Sequence, residues 1–139
     1  MEMNFIGVAA ATATFLGVWL GHVSVRMIER QVERIWIPAT IAFALGTGLE
    51  LASLQAENLV ISSVCGILGV TLLWDSLELA VRQPRRVREG YAPANPNNPR
   101  HARLLETYRN ATVIDWLDRD PRGHPYSEDE LRLIREKHQ

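Results

Sequence analysis

The chain has 139 residues, a formal charge of −1 and a single cysteine, and its mean hydropathy is −0.07. That length fits one domain with a tail, and one thiol excludes an internal disulfide or a cysteine metal cluster. The near-neutral averages hide two unlike halves: residues 1–81 hold three basic and seven acidic side chains, residues 82–139 twelve and nine.

Met1-Glu2-Met3-Asn4 lacks the basic n-region and small-residue cleavage site of a signal peptide, so the first apolar run is expected to remain as an anchor. That run, Phe5 to Gly21, is uncharged and continues to about residue 25. The second covers residues 35–54 and is interrupted only by Glu50; the third covers 59–81, with Asp75 and Glu78 near its end. Spanning a bilayer takes about 20 mostly apolar residues. Backbone polar groups in hydrocarbon must be satisfied within the segment. Three transmembrane helices are therefore predicted, at about 5–25, 35–54 and 59–81. A soluble bundle would show a charged stripe at helical spacing, and none appears before Arg26. Pro38 falls in the first turn of the second helix, where a missing N–H costs little. Cys65 lies within the third run and reads as a small packing residue.

All fifteen basic residues follow an apolar run in one of two blocks: Arg26, Arg30 and Arg34 after the first run, and the other twelve from Arg82 onward. Cytoplasmic flanks carry the excess of Lys and Arg. The expected orientation has the N-terminus and the 55–58 turn outside, and the 22–34 segment and the tail inside. Within 22–34 the arginines recur every four residues beside Glu29 and Glu33, which predicts a cytoplasmic helical extension or an interfacial helix with a solvated charged face. Its alternative role, shared by Arg82, Arg85, Arg86 and Arg88, is contact with anionic lipid head groups or a partner.

Residues 82–100 hold Pro84, Pro93, Pro96 and Pro99 with several asparagines, and predict a basic extended linker. The 101–139 tail predicts two short amphipathic helices. The first carries Leu105, Tyr108, Thr112 and Trp116 on one stripe, ahead of a break at Asp120–Pro125. The second opens on a capping box, Ser127-Glu128-Asp129-Glu130, with Tyr126 and Leu131 placed for a hydrophobic staple. Two such helices are too small to bury a core alone.

Several stretches share the order and spacing of one family. They are Met3-Asn4-Phe5-Ile6-Gly7, Phe15-Leu16, His22, Glu57-Asn58, Ser62-Ser63 with Gly66 and Gly69, and Leu73-Trp74 with Ser76 and Glu78-Leu79. The most specific is the run Arg86-Val87-Arg88-Glu89-Gly90-Tyr91-Ala92-Pro93-Ala94-Asn95-Pro96. Over about residues 3–98 the chain resembles the small bacterial membrane proteins of domain-of-unknown-function family 4491. The resemblance implies a bacterial three-helix membrane protein and supplies no activity. The family usually has a proline after the His22 position; here Val23 stands there, so helix one can run on unbroken. The family usually ends soon after the Asn-Pro element, so residues 99–139 are additional.

Ionisable residues within membrane spans are functional candidates by default. The first and third helices run in the same direction, so His22 or Arg26 is expected to meet Asp75 or Glu78 at the inner interface. That cluster reads as a packing clamp, or alternatively as part of an ion pathway or a lipid or quinone head-group contact. Glu50 is isolated near the other end, and is expected to snorkel outward, pair with Asn58, or sit protonated. Gly17 with Gly21, Gly46, Gly48, and Ser62 with Gly66 supply small faces for close helix approach. These faces serve packing within one copy, or self-association and insertion against other membrane subunits. His101 and His124 read as solvated. There is no metal-ligand spacing, nucleophile elbow, phosphate loop or cofactor motif, and no nucleic-acid or small-molecule signature. The expectation is a non-catalytic accessory or scaffold subunit of the bacterial cytoplasmic membrane whose tail docks on a cytoplasmic partner. The alternative is a small oligomeric ion or proton transporter.

Overall fold

The computed structural model describes residues 4–115 and 127–138. Within them the chain is all-α. The elements are α1 (Ile6–Gln31), α2 (Trp36–Gln55), α3 (Leu59–Leu77), a wide π turn (Glu78–Arg82), α4 (Gln83–Glu89), α5 (Pro99–Thr107) and α6 (Glu128–His138). The chain divides into two compact units, Met1–Arg82 and Gln83–Gln139.

In the first unit α1, α2 and α3 are each long and apolar enough to cross a membrane. Phe15, Trp19, Phe43, Leu45, Leu54 and Leu59 are all more than half exposed. Apolar surface of that extent is rare on a water-soluble monomer and is what hydrocarbon favours. α2 matches its predicted limits to within one residue. α1 runs well past residue 25, because Val23 leaves the hydrogen-bond ladder intact; it stops at Val32, which turns extended while its N–H still bonds Ile28 O at 2.8 Å. Residues 22–31 are therefore an extension of α1 and not a separate interfacial helix. Arg26 and Arg30 are exposed as expected. Glu29 is not part of their solvated face: it is 3% exposed and shares a buried four-residue stripe with Ala13, Gly21 and Val25.

α3 is the middle helix. α1 and α2 each pack along it and touch each other far less. At the arginine-bearing end, Val25, Ala39 and Leu79 meet with Ile28 and Ile35 in a small apolar core. Small residues spaced by seven form the α2–α3 seam: Ala39, Gly46 and Ser53 on α2 face Ser76, Gly69 and Ser62 on α3. Each level is joined through backbone. The Ser53 hydroxyl donates to Ser62 O (2.8 Å) and the Ser62 hydroxyl to Ser53 O (2.9 Å). A Cβ at Gly46 would lie 2.9 Å from Gly69 O. The Ser76 hydroxyl donates to Ala39 O (2.8 Å). α1 meets α3 through Gly17, against Leu68 and Thr71, and Gly21, against Asp75. Gly66 lies against Ser53. Gly48, expected at a packing face, has nothing within 4 Å. It lies two residues from both Gly46 and Glu50, so its α-carbon turns away from the seam they occupy.

The second unit corrects the reading of 82–100 as an extended linker, since residues 83–89 are helical. Pro84 lies inside a helix continuous from Leu59 to Glu89, and the wide turn at Glu78–Arg82 just ahead of it is where the ladder adjusts to its missing N–H. Pro99 opens α5, which Asn98 caps by accepting from Arg100 N–H at 3.0 Å. The irregular stretch between them is folded. Tyr91 and Ala92 N–H both bond Arg86 O, Ala94 N–H bonds Thr112 O at 2.8 Å, and Asn95 N–H bonds His101 Nδ1 at 3.0 Å. Val87, Ala94, His101, Ala111 and Ile114 are buried. His101, expected in solvent, is 0% exposed. The loop supplies the partner surface that the short helices lack.

α5 stops at Thr107, because Tyr108 turns extended and the chain doubles back to bring Thr112 O to Ala94. The stripe Leu105–Tyr108–Thr112 therefore does not form; Trp116, the 120–125 break, His124 and Tyr126 lie outside the described residues. The capping box of α6 forms as read: Glu130 N–H donates to Ser127 Oγ at 3.2 Å and Ser127 N–H to Glu130 Oε2 at 2.8 Å. Leu131 and Leu133 on this helix are exposed.

Candidate functional site

Two polar sites lie on the apolar helices. At the arginine-bearing end, Gly21 opens space for Asp75: a Cβ at position 21 would lie 2.6 Å from Asp75 Oδ2. His22 and Glu78 are the electrostatic neighbours of Asp75. Gly21 and Asp75 thus bring α1 and α3 together at this level, and among the described residues no hydrogen bond or ion pair joins His22 to either acid. Arg26 does not join them: its side chain is exposed, and among the described residues no ion pair links it to either acid. Arg82, four residues on, lies 3.9 Å from Glu78. The Arg82 guanidinium also lies 4.8 Å from the centre of the Trp74 ring. Glu78 is buried and Trp74 half-exposed. A tryptophan and a snorkelling arginine are what the edge of a bilayer selects.

Glu50 occupies the α2–α3 seam. A Cβ at Gly69 would lie 2.8 Å from its Oε1 and 3.1 Å from its Cγ and Cδ. The carboxyl thus sits in a notch that exists because α3 has no side chain at residue 69. The seam pairs Ser53 with Ser62 and Gly46 with Gly69, which puts the Glu50 backbone level with Cys65. The side chain reaches on to Gly69 because Cα–Cβ bonds tilt toward a helix's N-terminus, here the arginine-bearing end. Glu50 therefore neither snorkels toward the 55–58 turn nor pairs with Asn58. The Asn58 oxygen is occupied in capping α3, accepting from Val60 N–H at 2.9 Å and Ile61 N–H at 3.2 Å. Among the described residues no hydrogen bond or ion pair reaches the Glu50 carboxyl.

The hydroxyls between the two sites are committed. Thr47 donates to Phe43 O and Thr71 to Ile67 O; beyond Glu50, toward the 55–58 turn, Ser53 and Ser62 donate to each other's carbonyls. Removing this last pair tests the seam gently. Ser53→Ala and Ser62→Ala are each expected to lower stability in detergent by about 0.6 kcal/mol, the average for interhelical hydrogen bonds in membranes. Because the bonds are reciprocal, a double-mutant cycle by reversible unfolding should show coupling. Gly69 and Ser76 join the seam beyond the sequence-predicted packing residues, and their seven-residue spacing with Ser62 acquires meaning only beside the matching spacing on α2.

Among the described residues no group of three His, Cys, Asp or Glu side chains is arranged to hold a metal. The sequence profile described as Domain of unknown function (DUF4491) matches residues 4–98. The chain belongs to this family. No curated protein and no solved structure matches it. The DUF4491 match takes in all three long helices and the loop from Gly90 to Asn98. His101, Asn110 and Thr112, which close on that loop, lie beyond the matched residues. The added tail therefore completes the DUF4491 element rather than following it as an independent segment.

Proposed function

We propose that this protein is a non-catalytic, multi-pass subunit of the bacterial cytoplasmic membrane that packs against other membrane subunits and docks a cytoplasmic partner through its C-terminal helix. Two blocks of arginine after the first and third apolar helices support an orientation with the N-terminus outside and the C-terminus inside. The observation that carries the docking role is α6. It is a capped helix on which Leu131 and Ile134, three residues apart, share one face with Leu131 exposed, while α4 and α5 pack on each other without comparable contact to it. Amphipathic helices use such faces as anchors in a partner's groove. Arg30, Arg34, Arg85 and Arg86 are exposed and suit anionic head groups at the same side.

Gly17, Gly21, Gly46, Ser62 and Gly66 are all engaged within one copy, so self-association cannot lean on them. A second reading, an oligomeric proton or ion transporter using His22, Glu50, Asp75 and Glu78, draws support from the partnerless Glu50 carboxyl. The hydroxyls between Glu50 and Asp75, each donating to a backbone carbonyl, weigh against a proton relay.

Extraction in mild detergent followed by native mass determination tests the reading. A stoichiometric complex with other subunits is expected. A chain ending after residue 126 should keep the membrane subunits and lose the cytoplasmic one. A lone homo-oligomer would overturn the accessory role and favour flux measurements on Glu50→Gln and Glu78→Gln.

A further inference from the structure

We propose that Glu50 is an assembly contact, pairing with a lysine or arginine on a transmembrane helix of a different protein; this rests on the accessory-subunit reading. A carboxylate at membrane depth needs a counter-charge or a donor, and none of the described residues supplies one. A bare metal cation is a poor occupant. Hard cations gather several oxygens, whereas the notch offers one carboxyl beside an unsubstituted backbone, and the hydroxyls of Ser53 and Ser62 are engaged with each other's carbonyls.

A second copy of this chain in the same orientation is also a poor occupant. The basic residues of the first unit, Arg26, Arg30, Arg34 and Arg82, all lie at the opposite end of the helices from the 55–58 turn. Glu50 is five residues from that turn's end of α2, and no basic residue of a parallel copy comes to its level. The side chain is only partly buried, so a neighbouring helix has access to the notch from the flank of the α2–α3 pair. One carboxylate with one open side matches one basic side chain.

The test compares wild type with Glu50→Leu, Glu50→Gln and Leu51→Ala after mild-detergent purification, reading complex stoichiometry by native mass and folding by helix content. Glu50→Leu is expected to reduce the complex on the order of thirtyfold or more, as removal of one member of a desolvated charge pair does. Glu50→Gln should lose less, and Leu51→Ala nothing. In the wild-type complex Glu50 should resist dicyclohexylcarbodiimide, and become reactive once the partner is stripped. An undiminished complex with folded Glu50→Leu overturns this pairing and leaves the accessory reading standing. Equal carbodiimide labelling in the bound and stripped states also overturns it, and decides the matter if Glu50→Leu does not fold. A wild-type chain that purifies alone overturns both.

Discussion

Gly46→Ala is expected to destabilise the membrane unit by about 2 kcal/mol, within the usual 1–3 kcal/mol for overpacking a tight core. An added Cβ would lie 2.9 Å from Gly69 O, 2.9 Å from Leu73 Cγ and 3.0 Å from Leu73 N. Two of those atoms are backbone, so no rotamer change relieves the contact. α2 and α3 must separate, which stretches the Ser53–Ser62 and Ser76–Ala39 hydrogen bonds on either side. The measurement is reversible unfolding in detergent, with Gly48→Ala as control. Position 48 has nothing within 4 Å, and alanine is the better helix former, so that variant should match or exceed wild type. Equal losses from the two variants would mean that small residues on α2 matter for helix flexibility and not for contact with α3.

The contrast between Gly46 and Gly48 also marks how far the sequence could be read. The three long apolar helices were legible because hydrocarbon thickness and backbone satisfaction write themselves into composition over about 20 residues. Four-residue spacing identified the α1 contact, Gly17 and Gly21, but on α2 the sequence could not distinguish Gly46 from Gly48. The informative period there is seven. Ala39–Gly46–Ser53 and Ser62–Gly69–Ser76 are matched only when both helices are read together, and single-helix patterns do not show it. Glu50 was visible as an intramembrane acid, yet its notch was not, because a notch is made by the missing side chain of Gly69 on another helix. The second unit was read least well. Proline density suggested an extended linker, but Pro99 sits in the first turn of α5, where helices accept it, and Pro84 follows a wide π turn within a continuous helix. The burial of His101 depends on bonds to Asn95 and on Ala94–Thr112 pairing, which are tertiary and leave no local period.

Gly90→Ala is expected to open that second unit. Gly90 has φ +81°, and a Cβ there would collide with Asn110 O. The left-handed backbone alone costs an L-residue about 1–2 kcal/mol, and the clash with a carbonyl adds to it, so a total of about 3 kcal/mol or more follows from combining strain with overpacking. The chain from Asn110 to Thr112 has to leave the loop, and with it goes the Ala94–Thr112 bond. Amide hydrogen exchange gives the position-specific readout. Ala94 N–H, bonded to Thr112 O, and Asn95 N–H, bonded to His101 Nδ1, should both lose protection, while amides in the middle of α3 keep theirs. His101→Ala separates the two contacts: it should expose Asn95 N–H chiefly and leave Ala94 N–H protected longer. Retained protection at Ala94 in Gly90→Ala would show that the loop closes without the Gly90–Asn110 approach. The distinction matters because Gly90 lies inside the DUF4491 match and Asn110 beyond it. Loss of protection would mean that residues 99–115 have become a structural part of the family's loop.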